Sequence, residues 1–210
     1  AALLAQVHDF LVVSDYAVRA VLLRLFRYCI VDQRSCRALI AEEYQWPIIV
    51  SLERDHDYLM ERKEAWKLVH HVLLTCHPAE FPVAFARSLT TIAAESKGDL
   101  RLNALESLRC LSLRDCRLCA EVEGFHTLFD AMLDPSASDM AESVVLTIIQ
   151  LLNDAEHREI IRATVHLQHL VSVFTDFDIP EADFRPRLVA SARALVTMMR
   201  SWAGVTLLTA

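Results

Sequence analysis

Residues 65–72 read Ala65-Trp66-Lys67-Leu68-Val69-His70-His71-Val72, with Ala65, Leu68, Val69 and Val72 at offsets 0, +3, +4 and +7. A helix turns once in about 3.6 residues, so these four side chains share one helix face. The stripe recurs as Leu22-Leu25-Phe26-Cys29 before this copy, and as Ala104-Ser107-Leu108-Leu111, Ala141-Val144-Val145-Ile148 and Ala192-Leu195-Val196-Met199 after it. The first position is small in four of the five copies, and the later positions are apolar apart from Ser107. Starting points at 22, 65, 104, 141 and 192 lie 43, 39, 37 and 51 residues apart. A period of about 40 residues is that of armadillo and HEAT repeats. One such helix pair cannot bury its apolar face alone, so neighbouring copies must cover one another. The expected fold is all-α, a right-handed α-solenoid of armadillo/HEAT-like repeats with the five stripes buried.

The punctuation agrees. Pro47, Pro78, Pro82, Gly98, Gly124, Pro135, Pro180 and Pro186 fall between or beside the stripes, where helices begin and end. Asp15, Asp99 and Asp139 stand near helix starts, where a carboxylate accepts from unpaired N–H groups and meets the positive end of the helix dipole. Helices are expected near 2–13, 15–30, 33–41, 45–54, 58–76, 81–95, 99–113, 114–120, 122–133, 138–152, 155–161, 166–174 and 187–202. Residues 175–186, acidic and holding two prolines, cause the long spacing of 51 and are expected to form an exposed irregular connection. The chain opens on Ala1-Ala2-Leu3 and ends in the apolar run Trp202 to Ala210, which reads as a single armadillo-like fragment, 1–210, of a longer chain.

Composition narrows the function. Of 210 residues, 54% are apolar and 23% charged, with 3 Gly and 6 Pro, which excludes collagen-like and disordered chains and leaves a multistranded β fold short of turns. A net charge of −7 disfavours nucleic-acid binding through a basic face. The longest uncharged run, Ala163 to Thr175, is 13 residues, short of the roughly 20 that span a membrane.

Few residues suggest chemistry. Cys116 and Cys119, with Cys110 six residues earlier, have the most metal-like spacing, and His126, His70, His71, Cys76 and His77 are the remaining ligands on offer for a zinc-dependent enzyme. No second Cys-x-x-Cys exists, and Leu108 to Leu118 alternates Leu and Arg at helical spacing, so buried thiols are the expectation. His166 and His169 could share a helix face but have no third ligand near them in sequence. There is no phosphate loop, Gly-x-Ser-x-Gly elbow or His-Glu-x-x-His helix. Catalytic, metal and cofactor residues are therefore expected to be none. Arg19, Arg24, Arg27, Arg34 and Arg37 form the densest basic stretch, interleaved with Asp15, Asp32, Glu42 and Glu43, and ion pairs along a solvated face are expected of it.

Several ordered segments carry a resemblance. Val18-Arg19-Ala20, Leu23-Arg24 and Arg27-Tyr28 come first, followed by Leu151-Leu152-Asn153 with Arg158 and Ile161-Arg162-Ala163. Thr175-Asp176-Phe177 and Arg200-Ser201-Trp202-Ala203-Gly204 are the most specific. Together they resemble the N-terminal armadillo region of the Rictor/Pianissimo family, in a divergent or fungal-like member whose connection at 178–186 is acidic and shorter than in animal members. The resemblance implies a non-enzymatic scaffold of TOR complex 2 with three partners: the TOR kinase, a SIN-family subunit and a WD-repeat subunit. It also implies a cytoplasmic protein, peripheral at the plasma membrane as part of the complex. Arg158, Arg162, Thr175, Asp176, Phe177, Arg200, Ser201 and Trp202 are the structural or partner-contact candidates. Trp202 continues the stripe ending at Met199 and is expected to be buried, with Arg200 free to pair with Asp176 as an internal lock. The alternative is a peptide adaptor of the importin or catenin kind, but Asn103 and Asn153 with Trp46, Trp66 and Trp202 make no repeating ladder.

Overall fold

The computed structural model describes residues 11, 15–40, 42–95, 98, 100–164, 171, 173, 174 and 180–208, with 42, 43, 163, 164, 181–183 and 207 described in their backbone alone. These form α1 (Tyr16–Cys29), α2 (Gln33–Leu39), α3 (Glu42–Leu52), α4 (Leu59–Thr75), α5 (Val83–Ala94) and α6 (Arg101–Arg114). Then come α7 (Cys116–Glu121), α8 (Gly124–Leu133), α9 (Ser138–Leu152), α10 (Ala155–Thr164), α11 (Glu181–Met199) and α12 (Trp202–Leu208). No strand occurs among the described residues.

Aspartates start several of these helices by satisfying amides that the first turn leaves unpaired. Asp15 accepts from the Tyr16 N–H at 2.8 Å, and Asp115 from the Leu118 N–H at 2.9 Å. Asp32 accepts from the Ser35 N–H at 2.8 Å while the Ser35 hydroxyl accepts from the Asp32 N–H at 3.1 Å, a reciprocal capping box. Asp154 accepts from the Glu156 and His157 N–H groups at 2.9 and 3.2 Å. Asp139 lies inside the first turn of α9 instead of before it, and Asp99 is outside the described residues.

The chain divides into two compact units, Ala1–Ser107 and Leu108–Ala210. In the first, α4 packs against α1, α2 and α3, and α3 packs against α5. Ala65, Leu68, Val69 and Val72 are all fully buried, each of the larger three contributing about 1.5–3 kcal/mol. In the second, α9 packs against α8, α10, α11 and α12, and Val144, Val145 and Ile148 are buried. Side-chain hydrogen bonds between helices repeat the sequence period: Arg19 to Glu61, Arg24 to Glu64, Arg37 to Glu80 and Arg117 to Glu156 join residues 42, 40, 43 and 39 apart.

Three expectations need correction. The first stripe is out of register: Leu25 is 47% exposed, and α1 buries Arg19, Ala20, Leu23 and Phe26. The fifth is too, since Val196 and Met199 are exposed while Ser191, Ala194 and Met198 are buried. Both helices carry apolar residues on two faces, so periodicity alone could not choose the buried one. Third, the connection expected at 175–186 is helical from Glu181 onward, with Pro186 inside α11. Residues 175–179 of that connection, and most of the helices expected at 2–13 and 166–174, lie outside the described residues.

Candidate interaction surface

The two units treat charge differently. On α4, Glu61 and Glu64 are buried and three residues apart, one turn of the helix. Arg19 from α1 donates to both Glu61 oxygens at 2.8 and 2.9 Å, and Arg54 approaches the same carboxylate at 3.3 Å. Glu64 takes Arg24 at 3.1 Å, Lys67 at 2.8 Å and Arg27 at 3.7 Å. Burial raises the Glu64 carboxyl, but the bonds from Arg24 and Lys67 outweigh it and hold the group below its ordinary range. The basic stretch of α1 thus pairs internally, as expected, but with carboxylates one repeat away and partly inside the protein, where a solvated face had been expected.

Beside this seam, Trp66 donates its indole N–H to the Asn103 carbonyl at 3.2 Å and the Ser107 hydroxyl at 3.0 Å, and His70 Nδ1 meets the same hydroxyl at 2.9 Å. Burial holds His70 below its ordinary value of 6.5. His71 bonds the Ile30 carbonyl at 2.9 Å, and His126 pairs with Asp130 at 3.1 Å. Cys116 and Cys119 are free and buried, and burial pushes the Cys116 thiol up to about 11 and Cys119 further. Protonated thiols are poor zinc ligands. Among the described residues no group of three His, Cys, Asp or Glu side chains is placed to hold a metal, and His166 and His169 lie outside them.

The second unit holds a cavity of about 950 Å³ between α9 and α11, also lined by Met132 and Pro135. Its α9 wall is Ala141, Glu142 and Val145, and its α11 wall carries Val189 and Val196. Arg185, Arg193 and Arg200 line the same cavity and are exposed, and their guanidinium groups make no ion pair with a described residue. Of the residues lining the cavity, Glu142 is the one with a carboxylate.

The family-like candidates separate into caps and surface. Arg158 donates to the Leu152 carbonyl at 2.9 Å and closes the end of α9, and Arg162 reaches the Thr206 carbonyl at 3.2 Å. Ser201 accepts from the Gly204 N–H at 2.9 Å and starts α12, and a Cβ at Gly204 would collide with the Met198 carbonyl. Trp202, expected to be buried, is 82% exposed, and Arg200 is exposed beside it. The turn at 200–201 ends the register of α11, so Trp202 does not continue its stripe. Thr175, Asp176 and Phe177 lie outside the described residues. Arg185 and Arg193 were not among the candidates. A signal existed for Arg193, which has no carboxylate three or four residues away on either side, whereas Arg185 has Glu181 four residues before it.

The whole chain, residues 1–210, matches the family model described as "Rapamycin-insensitive companion of mTOR, N-term". The chain belongs to this family. It is 26% identical over 219 residues to Protein pianissimo A of Dictyostelium discoideum, covering 95% of this chain and 19% of that protein. It is 28% identical over 201 residues to the Rapamycin-insensitive companion of mTOR of Mus musculus, and 27% identical to that of Homo sapiens, covering 90% of this chain and 12% of each. The chain therefore spans less than one fifth of the length of these relatives. Among its described residues no helix is long and apolar enough to cross a membrane.

Proposed function

We propose that this chain is a non-enzymatic scaffold element of TOR complex 2, contributing an armadillo/HEAT-like surface on which the TOR kinase, a SIN-family subunit and a WD-repeat subunit assemble. The family match across all 210 residues carries the reading. Its helices stack within each unit as successive repeats of a right-handed α-solenoid, a reading supported by inter-helix bonds between residues about one repeat apart, as from Arg19 to Glu61 and from Arg117 to Glu156. In such a stack function lies on exposed helix faces, and the clustered polar groups of the first unit serve packing. Trp66 and Asn103 illustrate this: an importin-like receptor would turn both side chains toward a peptide, whereas here the Trp66 N–H is taken by the Asn103 carbonyl. Its place is the cytoplasm and, with the complex, the plasma-membrane face.

The test is co-purification of the three subunits with the tagged protein from cells. Recovery of the TOR kinase and the SIN-family subunit, reduced by substitutions at exposed Arg200 and Trp202 that leave the melting temperature unchanged, is expected. Recovery of none of the three would overturn the reading.

A further inference from the structure

We propose that the trough between α9 and α11 is a docking groove for an acidic amphipathic helix of a partner protein. This refines the scaffold reading and rests on it only in taking the occupant to be a protein. The floor of the trough is apolar and recessed: Val145 is buried, and Val189 and Val196 stand on the opposite wall. Leaving two valines about half exposed beside an open cavity of about 950 Å³ has a hydrophobic cost that a partner's side chains would remove.

The charges on the rim choose the occupant. Arg185 and Arg193 are eight residues apart on α11 and Arg200 caps its C-terminus seven residues later, so the three guanidinium-bearing positions are spread over about 22 Å along the trough they line. Among the described residues that line the trough, the one carboxylate against them is that of Glu142, in a chain whose net charge is −7. A basic row along an apolar trough in an acidic protein is complementary to a helix with a carboxylate every second turn and apolar residues between them. Two α-helices already form the walls, and a third helix of about 15 residues laid along α11 matches the row in length and period. A membrane surface fits less well. Anionic headgroups would reach the arginines, but a flat bilayer cannot bring acyl chains to the recessed Val145.

The experiment uses the purified 210-residue chain and a labelled synthetic helix bearing Glu at the arginine spacing with Leu between, followed by fluorescence anisotropy. No complex subunit is present, so a failed assembly and a failed capture are separate results. Saturable binding is expected, weakened about tenfold or more by Arg193→Glu and by Val196→Asp, and weakened by salt. Both positions are exposed, and unchanged melting curves confirm that the variants are folded. Four results would overturn the proposal: no binding by the parent chain, equal binding of a peptide with Lys in place of Glu, indifference to both substitutions, or binding to phosphatidylserine vesicles that the peptide does not compete for. Binding that appears only after Asp176→Asn and Asp178→Asn would also overturn it, by assigning the groove to the chain's own acidic run.

Discussion

Arg19 and Arg193 each belong to a helix with apolar residues on two faces, yet they do opposite things. Arg19 is 7% exposed and grips Glu61 through two bonds of 2.8 and 2.9 Å, whereas Arg193 is exposed at the edge of a trough and makes no ion pair with a described residue. The difference lies in the facing helix. α4 presents Glu61 and Glu64 one turn apart toward α1, while the α9 wall of the trough offers α11 only Glu142. Arg19 is part of the core, whereas the arginines that line the trough are surface available to a partner. Composition alone, 21 basic against 28 acidic residues, cannot distinguish the two uses.

The largest loss of stability is expected at the seam. Glu61→Ala would leave Arg19 and Arg54 beside an empty buried site, and breaking a buried pair from one side costs about 3–5 kcal/mol. Denaturant unfolding should show that loss, and a cost under about 1 kcal/mol would mean that the seam is no more than a surface pair. The next largest effect belongs to the second unit, at Gly204→Ala. The new Cβ would strike the Met198 carbonyl, and forced overpacking costs about 1–3 kcal/mol, which the better helix propensity of alanine offsets only in part. Hydrogen exchange should locate the damage at α11 and α12 and leave the amides of α4 protected.

Acid sharpens the contrast. His70 is held below 6.5 by burial, so the unfolded chain binds its proton first, and stability present above pH 6.5 should decline as the pH falls below it. Glu64 is held below 4.5, so its contribution should be lost as the pH falls further, below 4.5 and through its folded value. Both groups belong to the first unit. Urea midpoints against pH should therefore fall in two stages, and His70→Gln should remove the upper stage only. The smallest expected effect is at Trp202→Ala. An indole 82% exposed contributes little to packing, so the change in stability should stay within about 0.5 kcal/mol, and a loss of several would restore the buried position expected from the stripe.

How much of this could be read beforehand depended on whether a helix has one apolar face or two. α4 and α9 have one dominant stripe, and Leu68, Val69, Val145 and Ile148 were placed correctly in the core. α1 offers Val18, Val21, Leu25 and Tyr28 on one side and Ala20, Leu23 and Phe26 on another, and the side that is buried also holds Arg19, which a hydrophobic count excludes. The pairing that makes Arg19 buriable comes from a carboxylate 42 residues away, beyond any local window. In the segment Arg200 to Gly204, Trp202 had been expected to be buried, but the tight corner needs Ser201 and Gly204, and Trp202 is turned to solvent. The trough was missed because its arginines belong to a helix whose first turn lies in what was read as a loop.

Timed modification with phenylglyoxal and mass spectrometry of each arginine peptide measures directly whether Arg19 is internal and the arginines of the trough are accessible. Arg185, Arg193 and Arg200 should react at rates near those of the unfolded chain, while Arg19, Arg62 and Arg101, all under 10% exposed, should be protected until the protein unfolds. Modification of Arg19 as fast as Arg193 in the folded protein would contradict the account.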